Sequence, residues 1–281
     1  MKKLLEKLLL EQDIFKPPTE EELEKRRKEF EQRKIEEFVK KYNGKQNPDG
    51  SYDFDRSFDK DDLKDVIVDG KFLIKFGKVK GDFYCSHNKL TSLEGAPKYV
   101  GGDFYCYDNR LTSLEGAPEY VGGSFYCSLN DLTSLEGVPE RIEGDFSCSC
   151  ALLTSLEGAP EYVGGDFSCF SNKLTILKGA PKYVGGYFDC SYNNLTSLEG
   201  APKRVEGGFY CSNNKLTSLE GAPERVGGSF DCSNNKLTSL EGAPKYVGGN
   251  FSCYDNSVKF TKEDVEKVSE VKGRIKVMKN W

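Results

Sequence analysis

Gly102-Asp103-Phe104-Tyr105-Cys106-Tyr107-Asp108-Asn109-Arg110-Leu111-Thr112-Ser113-Leu114-Glu115-Gly116-Ala117-Pro118-Glu119-Tyr120-Val121-Gly122 is one of nine near-copies of a 21-residue unit. Its cysteine recurs without a slip at Cys85, Cys106, Cys127, Cys148, Cys169, Cys190, Cys211, Cys232 and Cys253. So short a unit holds too few apolar side chains to enclose a core, and each copy must stack on the next. The chain therefore reads as a solenoid, and its 281 residues measure stacked turns rather than globular domains.

Within the unit, Val100, Phe104, Cys106, Asn109, Leu111 and Leu114 form the series V-x3-F-x-C-x2-N-x-L-x2-L. Phe104 and Cys106 alternate with period two, so both point inward from a short strand while Asp103, Tyr105 and Tyr107 point outward. Asn88, Asn109, Asn130, Asn172, Asn193, Asn214, Asn235 and Asn256 are expected to form a buried amide ladder that bonds the turn backbone. The fourth unit carries Ala151 instead, which predicts a local weakness. Gly95 and its equivalents supply a turn, and Pro97 and its equivalents stiffen an extended back wall.

This series resembles the leucine-rich repeat, L-x-x-L-x-L-x-x-N-x-L, over most of residues 81–258. The short period and the Leu-Thr-Ser-Leu run are similar to the bacterial subclass found in effectors of enteric pathogens. The Gly-Ala-Pro-x-Tyr-Val-Gly-Gly wording resembles leucine-rich repeat proteins encoded by tailed phages. The resemblance implies a mostly β leucine-rich repeat solenoid with its parallel sheet on the concave face. It also implies a protein partner, a host protein if the chain is phage-encoded or an effector. Two departures stand out: Phe and Cys replace leucines, and the Val-to-Phe spacing is four residues rather than three. Gly101-Gly102 is expected to absorb the extra residue through positive φ.

Four regions follow: an N-terminal helical region over 1–47, a degenerate cap over 48–80, nine repeats over 81–258, and a short α/β cap over 259–281. Thr19 with Glu22 predicts a capping box opening a charged helix whose narrow apolar stripe would suit packing on the solenoid end. Thr261 with Asp264 predicts a second capped helix, and Arg274-Ile275-Lys276-Val277-Met278 a last strand. Met1 to Leu10 is expected to be a short amphipathic helix rather than a signal peptide, since Glu6 and Lys7 interrupt its apolar run. No stretch suits a membrane span, and a soluble, cytoplasmic chain is expected, in the host-cell cytoplasm if phage-encoded.

Acidic residues exceed basic ones, 45 to 40, and the excess falls in the repeats, which disfavours direct nucleic-acid binding. Nine of the ten cysteines share one stacked position, where parallel side chains about 4.8 Å apart cannot converge into disulfides. They are read as reduced, buried thiols. No enzyme, cofactor or metal site is expected. His87 is the lone histidine and is read as solvated without a fixed acid partner, and alternation does not aim Cys148 and Cys150 at one metal.

Binding is read from positions that vary against the constant frame. Tyr107, Leu129, Cys150, Leu152, Phe170 and Tyr192 diverge from the bland serines, asparagines and lysines of the late units. Tyr84, Tyr105 and Tyr126 line the outward strand column, with Asp103, Asp145 and Asp166 interleaved. Aromatic, partly apolar surface of this kind composes binding hot spots. Alanine at Tyr105 or Phe170 is expected to spare stability and weaken partner binding. The expected function is a non-enzymatic protein-binding scaffold whose aspartates select basic residues. The alternatives are an acidic nucleic-acid mimic, or a carbohydrate-binding or virion-associated module; a homo-oligomer is open but not indicated.

Overall fold

The computed structural model describes residues 18–277. The run Met1 to Leu10, together with Met278 and Trp281, lies outside the described residues. One compact unit ends at Asn43 and a second begins at Gly44. The first contains the helix Glu20–Tyr42, whose Thr19 and Glu22 form the anticipated capping box. It closes on Asn43 in the left-handed region, where asparagine is tolerated.

In the second unit each repeat contributes two short strands. One is the Phe-x pair before the cysteine, from Phe83–Tyr84 through Phe104–Tyr105 to Phe251–Ser252. With Ile275–Lys276 from the C-terminal cap it makes a ten-stranded parallel sheet. Every pair of repeat strands matches phenylalanine to phenylalanine, such as Phe104 to Phe125 and Phe188 to Phe209. A register slip would turn these rings to solvent, so the constant period locks the ladder.

Behind this sheet the repeat pattern fills the core in layers. Phe, Cys, both leucines and Val of each turn are almost wholly buried, for example Phe188, Cys190, Leu195, Leu198 and Val205 at 0% exposure. Successive phenylalanine rings lie 5.0 to 6.0 Å apart along the axis. Each buried ring contributes about 2–3 kcal/mol. Replacing leucine by phenylalanine therefore fills the same layer with stacked rings.

The back wall, expected only to be extended, carries a second parallel sheet at the Tyr-Val or Arg-Val pair. It comes in two pieces. Phe76–Val79, Tyr99–Val100 and Tyr120–Val121 belong to one, and the strands from Arg141–Ile142 to Glu270–Val271 form the other. Alternation over two residues is too short to betray a strand in the sequence.

The Gly101-Gly102 pair works differently from the expectation. Neither residue has positive φ; the left-handed glycines are Gly95, Gly116 and their equivalents. The second glycine of the pair is required by close approach, whereas the first gives way to Glu143 and Glu206 in two units. A Cβ on Gly123 would stand 2.0 Å from Asp103 Oδ1, and one on Gly207 would stand 2.5 Å from the carbonyl carbon of Gly186.

Both ends of the solenoid unit are capped. Tyr52–Phe54 pairs parallel to Phe76–Val79 and antiparallel to Lys45–Gln46, and Phe58 bridges to Phe83. Phe54, Phe58 and Phe76 are buried there. At the far end Thr261 caps the helix Lys262–Glu266, and Glu270–Val271 and Ile275–Lys276 extend the two sheets by one strand each.

Candidate binding surface

The inward side chains explain themselves as frame. Asn193 is typical: its Nδ2 donates to the carbonyls of Cys169 and Cys190 at 3.1 Å each, and its Oδ1 accepts the Leu174 N–H at 3.0 Å. Each amide thus ties two turns together. Ala151 breaks the row, so no side-chain acceptor stands opposite the Leu132 N–H, which in the pattern would bond an asparagine at 151.

The buried cysteines donate their S–H to the backbone carbonyl of the next turn, as from Cys190 to Tyr210 at 3.3 Å and from Cys211 to Asp231 at 3.3 Å. Burial pushes the thiols of Cys148 and Cys253 up to about 12 and raises the rest of the row as well. They are poor nucleophiles. Cys150 is exposed. Among the described residues no group of three or more His, Cys, Asp or Glu could hold a metal ion, and no helix is long and apolar enough to cross a membrane.

On the outward face of the phenylalanine sheet, Tyr84, Tyr105 and Tyr126 form a ring stack with centroids 4.8 and 5.0 Å apart. Tyr107 closes edge-on against Tyr84 and shares a hydroxyl hydrogen bond with it. His87 has the partner that the sequence reading did not supply: its Nδ1 lies 2.5 Å from Asp108 Oδ2 on the next turn, and its ring abuts Tyr107.

The aspartates beside this stack also serve the frame. Asp103 Oδ1 accepts the Ser124 N–H at 2.7 Å, Asp145 Oδ1 that of Asp166 at 2.9 Å, and Asp166 Oδ1 that of Tyr187 at 2.8 Å. The other oxygens of Asp103 and Asp145 accept tyrosine hydroxyls, from Tyr105 at 2.8 Å and from Tyr126 at 3.0 Å. Burial, then the Asp103 bond, holds the Tyr105 phenol well above its usual range. Tyr105 is therefore part of the structure, and alanine there removes stacking and a hydrogen bond.

A different column separates frame from surplus. The second residue after each cysteine has positive φ in all nine units: His87, Asp108, Leu129, Cys150, Ser171, Tyr192, Asn213, Asn234 and Asp255, between 52° and 59°. Asparagine, aspartate and histidine tolerate this region; leucine, cysteine and tyrosine sit there at a cost of about 1–2 kcal/mol. Leu129 is 52% and Tyr192 54% exposed, so neither is seated in the core in return for that cost. Leu152 is exposed two residues along from Cys150, and Phe170, half-buried, packs its ring 5.1 Å from Tyr192. The structure thus gathers Leu129, Cys150, Leu152, Phe170 and Tyr192 on four consecutive turns, apart from the tyrosine stack of the first three. The backbone penalty at this column left no mark in the sequence except the preference for asparagine and aspartate at the other units.

The second sheet carries an aromatic column that sequence reasoning missed. Tyr99 stacks on Tyr120 at 4.7 Å and Tyr162 on Tyr183 at 4.9 Å. Cations cover Tyr99, Tyr162 and Tyr246, from Lys78, Arg141 and Arg225. The signal was present as a tyrosine or arginine before every repeat valine.

The constant register, the asparagine ladder and the layered Phe-Cys-Leu-Leu-Val core define a parallel β-solenoid of 21-residue turns. No protein-family model matches the chain, and no curated protein is similar to it. Among solved structures, YopM from Yersinia enterocolitica WA-314 aligns at 17% identity over 65% of this chain, with a TM-score of 0.22. The alignment spans 59% of that chain. At that score the likeness carries no argument, and the class rests on the repeat's own geometry.

Proposed function

We propose that the chain is a non-enzymatic scaffold that grips a folded protein partner on the edge formed by Leu129, Cys150, Leu152, Phe170 and Tyr192. The observation that carries this reading is the exposed tyrosine and leucine held in left-handed backbone seats that Asn213 and Asn234 fill at little cost. Backbone strain at exposed side chains clusters at functional positions in proteins generally. The tyrosine stack Tyr84-Tyr105-Tyr126 with Tyr107 extends the same face and would supply a rigid aromatic margin, with Asp103 and Asp145 fixing two of its hydroxyls and Asp166 beside them. A host protein is the partner that the repeat's wording suggests.

The test is a capture experiment on extract from the cells in which the chain acts, comparing the native chain with Leu129→Asn/Tyr192→Asn. A protein retained by the native chain and lost with the variant, at low and high salt alike, supports the reading. Equal retention by both overturns it. Loss at high salt with no effect of the variant favours the acidic-mimic alternative.

A further inference from the structure

The second sheet is interrupted once, and the interruption opens a site remote in kind from the apolar edge. No ladder joins Tyr120–Val121 to Arg141–Ile142. Val138 stands where the neighbouring units have Ala117 and Ala159, and Pro139 is half-buried where Pro118 and Pro160 are buried. Val138 thus brings two more methyl groups to the turn at which the ladder is missing.

Three tyrosines of this column are met by cations: Lys78 lies 4.1 Å from the centroid of Tyr99, Arg141 3.6 Å from that of Tyr162, and Arg225 3.8 Å from that of Tyr246. Tyr183 lacks such a cation among the described residues, and so does Tyr120. Tyr99 covers one of its faces in a stack inclined by only 9°. The cation on the following turn, Arg141, leans away onto Tyr162 and is held by Glu143 at 2.5 Å. Tyr120 is left 48% exposed. It lines a cavity of about 370 Å³ together with Glu119, Val121, Pro139, Glu140, Arg141 and Glu143. Glu143 is neutralised by Arg141 and Glu119 is 3.3 Å from Lys98, whereas Glu140 is in no ion pair among the described residues.

We infer that this notch receives one arginine side chain of a partner protein, with its guanidinium stacked on the open face of Tyr120 and its charge met by Glu140. The molecule already builds this contact for itself with Arg141 and Arg225, so the geometry of an aromatic face at this column suits a planar cation. The unpaired carboxylate selects the charge, and the cavity's volume accommodates the side-chain head with a bridging water. The site lies on the other sheet from Leu129 and Tyr192, and its occupancy does not depend on that edge.

The experiment is an NMR titration of the full chain with the peptide acetyl-Gly-Arg-Gly-amide, with the citrulline analogue as an uncharged isostere. The arginine peptide is expected to shift the Tyr120 ring and Glu140 resonances saturably, and the citrulline peptide at least threefold more weakly. Tyr120→Leu should abolish the response, and Glu140→Gln, an exposed change that spares the fold, should weaken it at least threefold. Tyr183→Leu, which removes the other strongly exposed ring of the column, should leave it intact, as should Leu129→Asn/Tyr192→Asn. Equal binding of the citrulline peptide, or shifts that survive both Tyr120→Leu and Glu140→Gln, would overturn the assignment. Because no partner is needed, that outcome is separable from failure of the capture experiment.

Discussion

Tyr192 and Asn213 occupy the same backbone seat one turn apart, with φ of 56° and 55°, yet one presents an exposed ring and the other a half-buried amide. The late units show what the repeat takes when only the fold is served. The middle units depart from that composition at Leu129, Cys150 and Tyr192, which the proposed function assigns to recognition.

Restoring the ladder at its gap should stabilise the solenoid. Ala151→Asn supplies an acceptor for the Leu132 N–H and donors for the carbonyls of Cys127 and Cys148, as Asn130 and Asn172 do in their own turns. The expected gain is about 1–2 kcal/mol in urea unfolding. Hydrogen exchange at Leu132 should slow to the rate of Leu111, and an unchanged rate would show that the gap costs nothing.

Gly123 and Asp103 should be coupled. Gly123→Ala forces a Cβ against the carboxylate that holds the Ser124 N–H and is expected to destabilise by about 2 kcal/mol or more. In the background of Asp103→Ala the same change should cost about 1 kcal/mol less. A double-mutant cycle by chemical denaturation measures the difference, and strict additivity would mean that the close approach is absorbed elsewhere.

The frame was the legible part of this chain. Nine registered cysteines with Phe, Asn and Leu at fixed offsets force one stacking phase, and phase decides what is buried. The roles of Asp103 and Gly123 were not legible, because they act between turns: the carboxylate reaches a backbone N–H of the next unit, and the glycine makes room for it. The candidate edge was half legible. Divergence from the late units pointed to Leu129 and Tyr192, but it pointed equally to Tyr105, which the structure ties to Asp103 and Tyr126. The second sheet escaped because two-residue strands leave no periodicity, and the notch at Tyr120 escaped with it.

Asp189 should make the protein less stable as pH rises. Burial is the largest influence on its carboxyl and raises it above the usual carboxylate range, outweighing the Ser191 hydrogen bonds. The folded chain therefore holds this proton more tightly than the unfolded one. The associated stability is fully present below the unfolded value of about 3.9 and is lost as pH climbs through the raised folded value. Asp189→Asn keeps an oxygen for the Ser191 N–H. It should raise Tm by about 2 °C or more at pH 7 and by much less at pH 3.5. An equal gain at both pH values would place the effect outside this carboxyl.

Thiol labelling should single out one position. Of ten cysteines, nine are buried with their S–H groups bonded or desolvated and only Cys150 is exposed. Brief treatment of the native chain with iodoacetamide should modify Cys150 alone, and Cys150→Ser should leave no fast-reacting thiol. Mass spectrometry of the digested protein reads the result. Rapid modification of Cys190 or Cys211 would mean that the stacked turns open locally on that timescale.

The most direct measurement is the unfolding free energy and the partner affinity of Leu129→Asn/Tyr192→Asn, read on the same preparation. If these side chains are held in left-handed seats for binding, the variant should gain about 1 kcal/mol or more per position in urea unfolding and lose its partner. A variant no more stable than the native chain, or one that binds as well, would contradict the proposal that Leu129 and Tyr192 are kept for recognition.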